Sequence, residues 1–350
     1  MSAALTIAGR AVGPGHPPYV IAEMSGNHNG DLNRALALID AAKAAGADAV
    51  KLQTYTADTM TIDHHGPGFD IEGGLWHGRN LYELYHEAHT PWDWHPRLFE
   101  HGRRIGITVF STPFDSTAVA FLEELNTPAY KIASFEVIDL PLIEEVARTG
   151  KPIVMSTGMA TDAEIAEALE TIRSHGGSQV VLLHCVSGYP TPVAEINLRR
   201  IAALAERFGV SVGLSDHTMG TAVPVAAVAL GAVMIEKHFT LRRADGGPDA
   251  AFSLEPGELA ALVEGTHIAW EALGSPECRL KPSEERSAQY RRSLYVVADI
   301  KAGEAFTPDN LRAIRPGFGM PPKMLAKVMG RRAARDLARG TPLAEDMVGP

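Results

Sequence analysis

From Tyr19 to His238 the chain alternates short apolar runs with longer amphipathic stretches, the pattern that repeated βα units of a parallel sheet produce. Eight runs read as strands: YVIAEM from Tyr19, DAVKLQ from Asp48, ITVFST from Ile107, AYKIAS from Ala129, PIVMST from Pro152, VVLLHC from Val180, VGLSD from Val212 and AVMIEKH from Ala232. Eight is the number that closes a (β/α)8 TIM barrel. Helix signals lie between them. Asp31 can cap LNRALALIDAAKAAG, Thr161 and Glu164 form a capping box before IAEALETI, and Gly46, Gly150 and Gly209 stand where helices should stop. The longest apolar run, from Ala222 to Ile235, is interrupted by Pro224 and Gly231. It is too short to cross a bilayer and reads as a buried helix followed by a strand.

Nearly every strand finishes in polar residues: Glu23, Lys51 and Gln53, Thr112, Lys131 and Ser134, Ser156, Ser187, Asp216 and His217, Glu236 and His238. Strand C-termini of a barrel converge on one mouth, so these side chains should meet there. Ser and Thr would also suit helix caps. Lys51, Lys131, Glu23 and His238 would not, because a charge inside a barrel strand needs a partner. The segment from Tyr55 to His95 is long for a crossover and holds Trp76, Trp92 and Trp94. It is expected to fold over the mouth as a lid or substrate wall, with Trp92 facing the substrate. The barrel should occupy residues 1–275, a polar linker 276–290, and a small second domain 291–350 with short strands in SLYVVADI and RAI and a short helix around PKMLAKVMG. Sixty residues make a small core, so docking against the barrel or a partner subunit is expected.

Charge narrows the partners. With 32 Lys and Arg against 42 Asp and Glu, the net charge of −10 argues against nucleic acid. An anionic substrate must therefore be held by local cations. Two cysteines, Cys185 and Cys278, and an N-terminus MSAALTIAGR without the apolar core of a signal peptide point to a reducing cytoplasm and no membrane.

Taken in order, IAEMSGNHNGD, KLQTYTADTM, FSTPFD, YKIASFE, STGMA, HCVSGYP, GLSDHTMG and IEKHFTL, followed by RRSLYVVADIKAGE, resemble the sialic-acid synthase family across nearly the entire chain. Its members join a catalytic barrel to a C-terminal antifreeze-like (SAF, β-clip) domain. The resemblance implies a homodimeric, metal-dependent transferase that condenses phosphoenolpyruvate with an amino-sugar aldehyde. SGNHNG, LWHGRNLYELYHEAHTPWDWH, ASFE and DGGPDAAFSLEP are most similar to the branch that makes pseudaminic acid, although His184 and Val186 stand where that branch often has Lys and Thr. An N-acetylneuraminate or legionaminate synthase is the alternative within the family. A non-catalytic carbohydrate- or ice-binding protein is the alternative outside it.

Lys51 and Lys131 are the candidates for holding the anionic reactant, with Gln53, Thr112, Ser134, Ser156, Ser187 and Ser215 adding donors. Glu23 and Glu136 are the candidate acid/base or water-orienting groups. His217 and His238, at the ends of adjacent strands, suit a shared metal with open positions, a role that the resemblance also implies. Imidazole favours Mn²⁺ or Co²⁺ over Mg²⁺, with Mn²⁺ the first choice. For the sugar, Asp249 is a candidate for holding hydroxyls, and the resemblance implies Asn27, Tyr189 and Arg315, the last reaching in from the partner of a dimer. Asp216 and Glu236 supply further carboxylates there, orientation of neighbouring Lys or His side chains being the alternative for Glu236.

Overall fold

The computed structural model describes residues 5–350; the first four, part of the N-terminal segment read above as lacking a signal core, lie outside the described residues. The chain divides into two compact units that meet at Gly274 and Ser275.

The first unit opens with a hairpin, β1 (Leu5–Ile7) and β2 (Arg10–Val12). Eight parallel strands follow: β3 (Tyr19–Glu23), β4 (Ala49–Thr54), β5 (Thr108–Pro113), β6 (Tyr130–Ile132), β7 (Ile153–Ser156), β8 (Val180–Cys185), β9 (Ser211–Asp216) and β10 (Met234–His238). They close on themselves, with β10 pairing back to β3. All eight are the runs read from the sequence.

Period-two alternation sorts each strand into two faces. Tyr19, Ile21, Ala49, Phe110, Val154, Val181, Leu183 and Met234 point into the barrel and form one apolar cluster with Leu5, Ile7 and Val12 of the hairpin. The barrel is thus packed solid at its N-terminal end, with the hairpin as a plug. The intervening residues, such as Val20, Val50, Ile132, Met155, Leu182, Leu214 and Ile235, face outward against the helices. Those helices start and stop where the local chemistry says. Asp31 caps Leu32–Ala44, the Thr161–Glu164 box caps Asp162–Ser174, and Gly209 takes the left-handed conformation that ends Arg200–Phe208. The apolar run after Thr221 is a helix, Ala222–Ala229, leading into β10. Among the described residues no helix is long and apolar enough to cross a membrane.

The second unit spans Ser275–Pro350. Its polar start, read above as a linker over 276–290, contains a helix, Pro282–Ala288, that Pro282 and the Glu284 side chain initiate. The antiparallel pair β11 (Ser293–Val296) and β12 (Leu311–Ile314) and the short helix Leu325–Val328 pack around Leu294, Val296, Ile300, Phe306, Leu311, Val328, Leu337 and Leu343. The expected strand through Ile300 stops at Val296, and Ile300 bridges singly to Leu337.

Candidate active site

At the C-terminal end of the barrel the inward positions change from apolar to charged. The Lys51 ammonium lies 2.7 Å from Glu23 and 3.9 Å from Glu236, and donates to Thr112 Oγ1 at 3.2 Å. Gln53 donates to the other Glu23 oxygen at 2.9 Å, and Ser215 to Glu236 at 2.9 Å. Lys131, 2% exposed, donates among the described residues only to the Ile132 carbonyl at 2.9 Å. Burial pushes the Lys131 ammonium below its ordinary range, an effect that Glu236 opposes. Burial acts on Lys51 too, but the carboxylates of Glu23 and Glu236 outweigh it and hold that ammonium up. The two carboxylates diverge: burial raises Glu23 to about 7, whereas Lys131 and Lys51 outweigh burial at Glu236 and keep it low. One acid poised near neutrality beside one fixed anion is the division of labour that acid/base sites use.

Several buried polar atoms here have no hydrogen-bond partner among the described residues: Ser156 Oγ, Glu136 Oε2, Glu236 Oε2 and His238 Nδ1. Buried polar atoms are nearly always hydrogen-bonded, so such a concentration at one rim marks groups held ready for a ligand. Ser134 and Ser187 share a hydrogen bond of 3.0 Å across this rim. Gly158 passes beneath them at φ +44°, where a Cβ would come within 2.3 Å of Ser134 Cβ and 2.9 Å of Ser187 Oγ. Only glycine lets the backbone approach the two hydroxyls so closely.

Glu136, in the turn after β6, is raised to about 7 by burial, partly opposed by Lys131. Its carboxyl ionises near 4.5 when exposed. Its contribution to stability is therefore complete below that value and lost as pH rises through 7, by roughly 3 kcal/mol in total. Glu136→Gln is expected to flatten this loss, which thermal unfolding between pH 5 and 8 would measure; an unchanged slope would assign the loss elsewhere.

The imidazoles of His217 and His238 face each other with ring centroids 5.5 Å apart. Burial lowers both pKa values, that of His238 well below the ordinary range, so both rings are neutral near pH 7. His217 Nδ1 donates to the Val186 carbonyl at 2.9 Å, leaving Nε2 as a lone-pair donor. His238 Nδ1 has no partner and lies 3.9 Å from Asp249 Oδ2. Asp249 is itself held by Ser25. Two neutral imidazoles with free ring nitrogens fit a borderline divalent cation. Among the described residues no group of three or more His, Cys, Asp or Glu converges for a metal, so such a cation would complete its shell with oxygen atoms of water or substrate. Tyr189 covers the pair, 4.3 Å from the His217 ring and 5.3 Å from Phe252.

Some residues expected here lie elsewhere. Asp216 is on the outward face of β9, bonded to Lys237 and Thr218 in the layer beneath the helices. Asn27 is fully buried, its amide nitrogen donating to the Phe239 carbonyl and Ser253, while its Oδ1 has no hydrogen-bond partner among the described residues. Glu236 stays in the rim and points at the lysines, in keeping with the alternative orienting role, rather than at a sugar subsite. Trp92 stacks on Phe121 of the helix Ser116–Glu124 at 4.8 Å, away from the mouth. Arg315 is exposed in the second unit, before a cis proline. The outward His184 bonds to the Ile196 carbonyl at 2.5 Å, and Val186 meets His217 only through its backbone. Their departures from the pattern therefore leave the charged rim unchanged.

Trp76 takes the place expected of Trp92. Its ring lies 5.7 Å from Tyr189 and its Nε1 donates to the Pro248 carbonyl at 2.9 Å, next to Asp249. Cys185, the last residue of β8 and the second of HCVSGYP, also faces inward, 4.0 Å from His217 Nδ1. Counting alternate residues back from Ser187 along β8 would have found Cys185, and counting from His217 along β9 would have rejected Asp216; no local signal separates Trp76 from Trp92.

Residues 38–278 of the chain match the NeuB family, and residues 291–349 match the SAF domain. The chain belongs to the NeuB family. Among curated NeuB relatives, the pseudaminic acid synthase of Helicobacter pylori is 46% identical over 94% of this chain and 97% of its own. The N,N'-diacetyllegionaminic acid synthase of Legionella pneumophila is 36% identical over 93% of each chain. The crystal structure of the N-acetylneuraminic acid (sialic acid) synthetase from Leptospira borgpetersenii, in complex with citrate, superposes with a TM-score of 0.74 at 33% identity, covering 82% of this chain and 95% of that one.

Proposed function

We propose that this chain is a pseudaminic acid synthase, joining phosphoenolpyruvate, 2,4-diacetamido-2,4,6-trideoxy-L-altrose and water into pseudaminic acid and phosphate. The observation that carries the reading is the set of unpartnered buried atoms of Ser156, Glu136, Glu236 and His238 gathered around two buried lysines. A barrel without chemistry would have no use for them, since each costs free energy until a ligand satisfies it. The 46% identity to a pseudaminic acid synthase, against 36% to a legionaminic acid synthase, supports the choice of sugar.

In this reading Lys51 and Lys131 neutralise the carboxylate and phosphate of phosphoenolpyruvate, with Gln53, Thr112, Ser134, Ser156, Ser187 and Ser215 completing the cradle. The third carbon of phosphoenolpyruvate attacks the aldehyde carbon. Water adds to the second carbon, and phosphate leaves by carbon–oxygen cleavage. Glu23 or Glu136, each titrating near 7, takes the proton of that water or returns one to the new alkoxide. His217 and His238 would hold a divalent cation, Mn²⁺ before Co²⁺ or Mg²⁺, which when bound would supply Lewis acidity toward the aldehyde. Tyr189, Asp249 and Trp76 wall the sugar side.

The enzyme works in the cytoplasm as a homodimer in which Arg315 of one copy serves the mouth of the other. Exposed Phe135, Met159 and Met219 near the strand ends support a covered rim, and exposed Ile314 and Phe318 flank Arg315.

Phosphate release from phosphoenolpyruvate with Mn²⁺ and three sugars tests the proposal: the altrose derivative, its manno-configured counterpart and N-acetylmannosamine. Turnover with the first alone is expected; equal or faster turnover of either other sugar rejects the choice of product. Trp76→Ala is expected to raise the sugar KM up to about tenfold and leave the phosphoenolpyruvate KM unchanged, as loss of one aromatic contact worth up to about 1.5 kcal/mol would. An equal rise in both KM values would remove Trp76 from the sugar wall.

A further inference from the structure

The outward face of β9 and β10 carries an ion pair that the reaction does not use. Lys237 Nζ lies 2.6 Å from Asp216 Oδ2, and each residue is 1% exposed. Their neighbours on that face, Leu214 and Ile235, belong to the apolar layer between strands and helices. A pair of apolar residues of similar volume would stabilise such a site at least as well, because burying two charges costs several kcal/mol that their attraction barely offsets. Stability alone therefore gives no reason for the charges.

Placement gives one. Asp216 and Lys237 are the positions immediately before His217 and His238, and they are paired across the sheet. The bonds do more than join two strands. Asp216 accepts from the Thr218 amide at 3.0 Å and from the Thr218 hydroxyl at 3.1 Å, while Lys237 also donates to the Thr218 carbonyl. His217 is thus held on both flanks by one buried cluster. Its carbonyl accepts from Thr191 at 2.9 Å and its ring donates to Val186, so backbone and imidazole are both fixed. His238 is fixed by its pairing with Glu23 and by the Leu254 amide, which donates to its carbonyl at 2.8 Å. Lys237 ties these two frames together.

We infer that Asp216 and Lys237 are positioning residues that set the spacing of the two imidazoles across the β9–β10 seam. They touch neither substrate nor cation. The inference rests on the reading of His217 and His238 as cation ligands. Groups that orient ligands from behind typically change metal affinity 10- to 100-fold when removed.

The test uses the full chain with Asp216→Leu and Lys237→Met combined, which removes both charges without stranding either. Mn²⁺ affinity is read by electron paramagnetic resonance, phosphoenolpyruvate affinity by calorimetry and unfolding by thermal melts. The expected result is a 10- to 100-fold loss of Mn²⁺ affinity, with phosphoenolpyruvate affinity and melting temperature kept. Wild-type Mn²⁺ affinity in the folded double variant would overturn the inference, and so would equal losses for Mn²⁺ and phosphoenolpyruvate. If the double variant does not fold, Asp216→Asn carries the same test, with a smaller but selective loss for Mn²⁺ expected and none overturning it. His217→Ala serves as the control: unchanged Mn²⁺ affinity there would overturn the ligand reading itself, and the positioning role with it.

Discussion

Alanine at either His217 or His238 is expected to lower turnover by about 10³-fold or more, the scale of losing a preorganised electrostatic partner of the transition state, and to abolish measurable Mn²⁺ binding. The fold should survive. His217 contributes one ring hydrogen bond to a carbonyl, worth about 1 kcal/mol, and His238 Nδ1 has no bond to lose. Phosphoenolpyruvate should still bind, because its proposed contacts, the lysines and serines, are separate side chains. Mn²⁺ titration beside a phosphate-release assay checks both statements. Manganese binding retained in both variants would mean that the paired imidazoles serve another purpose.

Lys51→Met should be the most damaging single change to the charged cluster. It leaves Glu23 and Glu236 buried together without the cation that Glu23 meets at 2.7 Å. Stranding one side of a buried pair typically costs 3–5 kcal/mol, so the melting temperature should drop by roughly 10 °C for a domain of this size. Activity should fall about 10³-fold with it. Adding Glu23→Gln relieves the stranded charge, and the double variant should regain much of the stability but none of the activity. That split separates what Lys51 does for the fold from what it does for the reactant. Recovery of both, or of neither, would contradict it.

The eight strands were legible because each is an apolar run ending in polar residues, and buried parallel strands write themselves that way. The mouth was legible for the same reason: Lys51 and Lys131 have no other place to keep a charge. Asp216 was misplaced because a list of polar strand ends ignores which face each residue takes. The same parity would have set Lys237 apart from its neighbours Glu236 and His238. Trp92 and Trp76 could not be told apart, since lid contacts such as Trp76 with Tyr189 join residues more than a hundred positions apart, and no local period encodes them. The helix Pro282–Ala288 was hidden in a stretch whose residues are nearly all exposed, so no apolar stripe announced it.

The hairpin fills the bottom of the barrel, so the mouth is closed from below. Molecules arriving at the strand ends must leave by the way they came. The lysines lie at 4% and 2% exposure, deeper than the half-buried Tyr189 and Trp76. Under the proposed function this makes loading last in, first out: the small anion would have to descend before the bulky sugar settled above it, and released phosphate would wait until the nine-carbon acid had left.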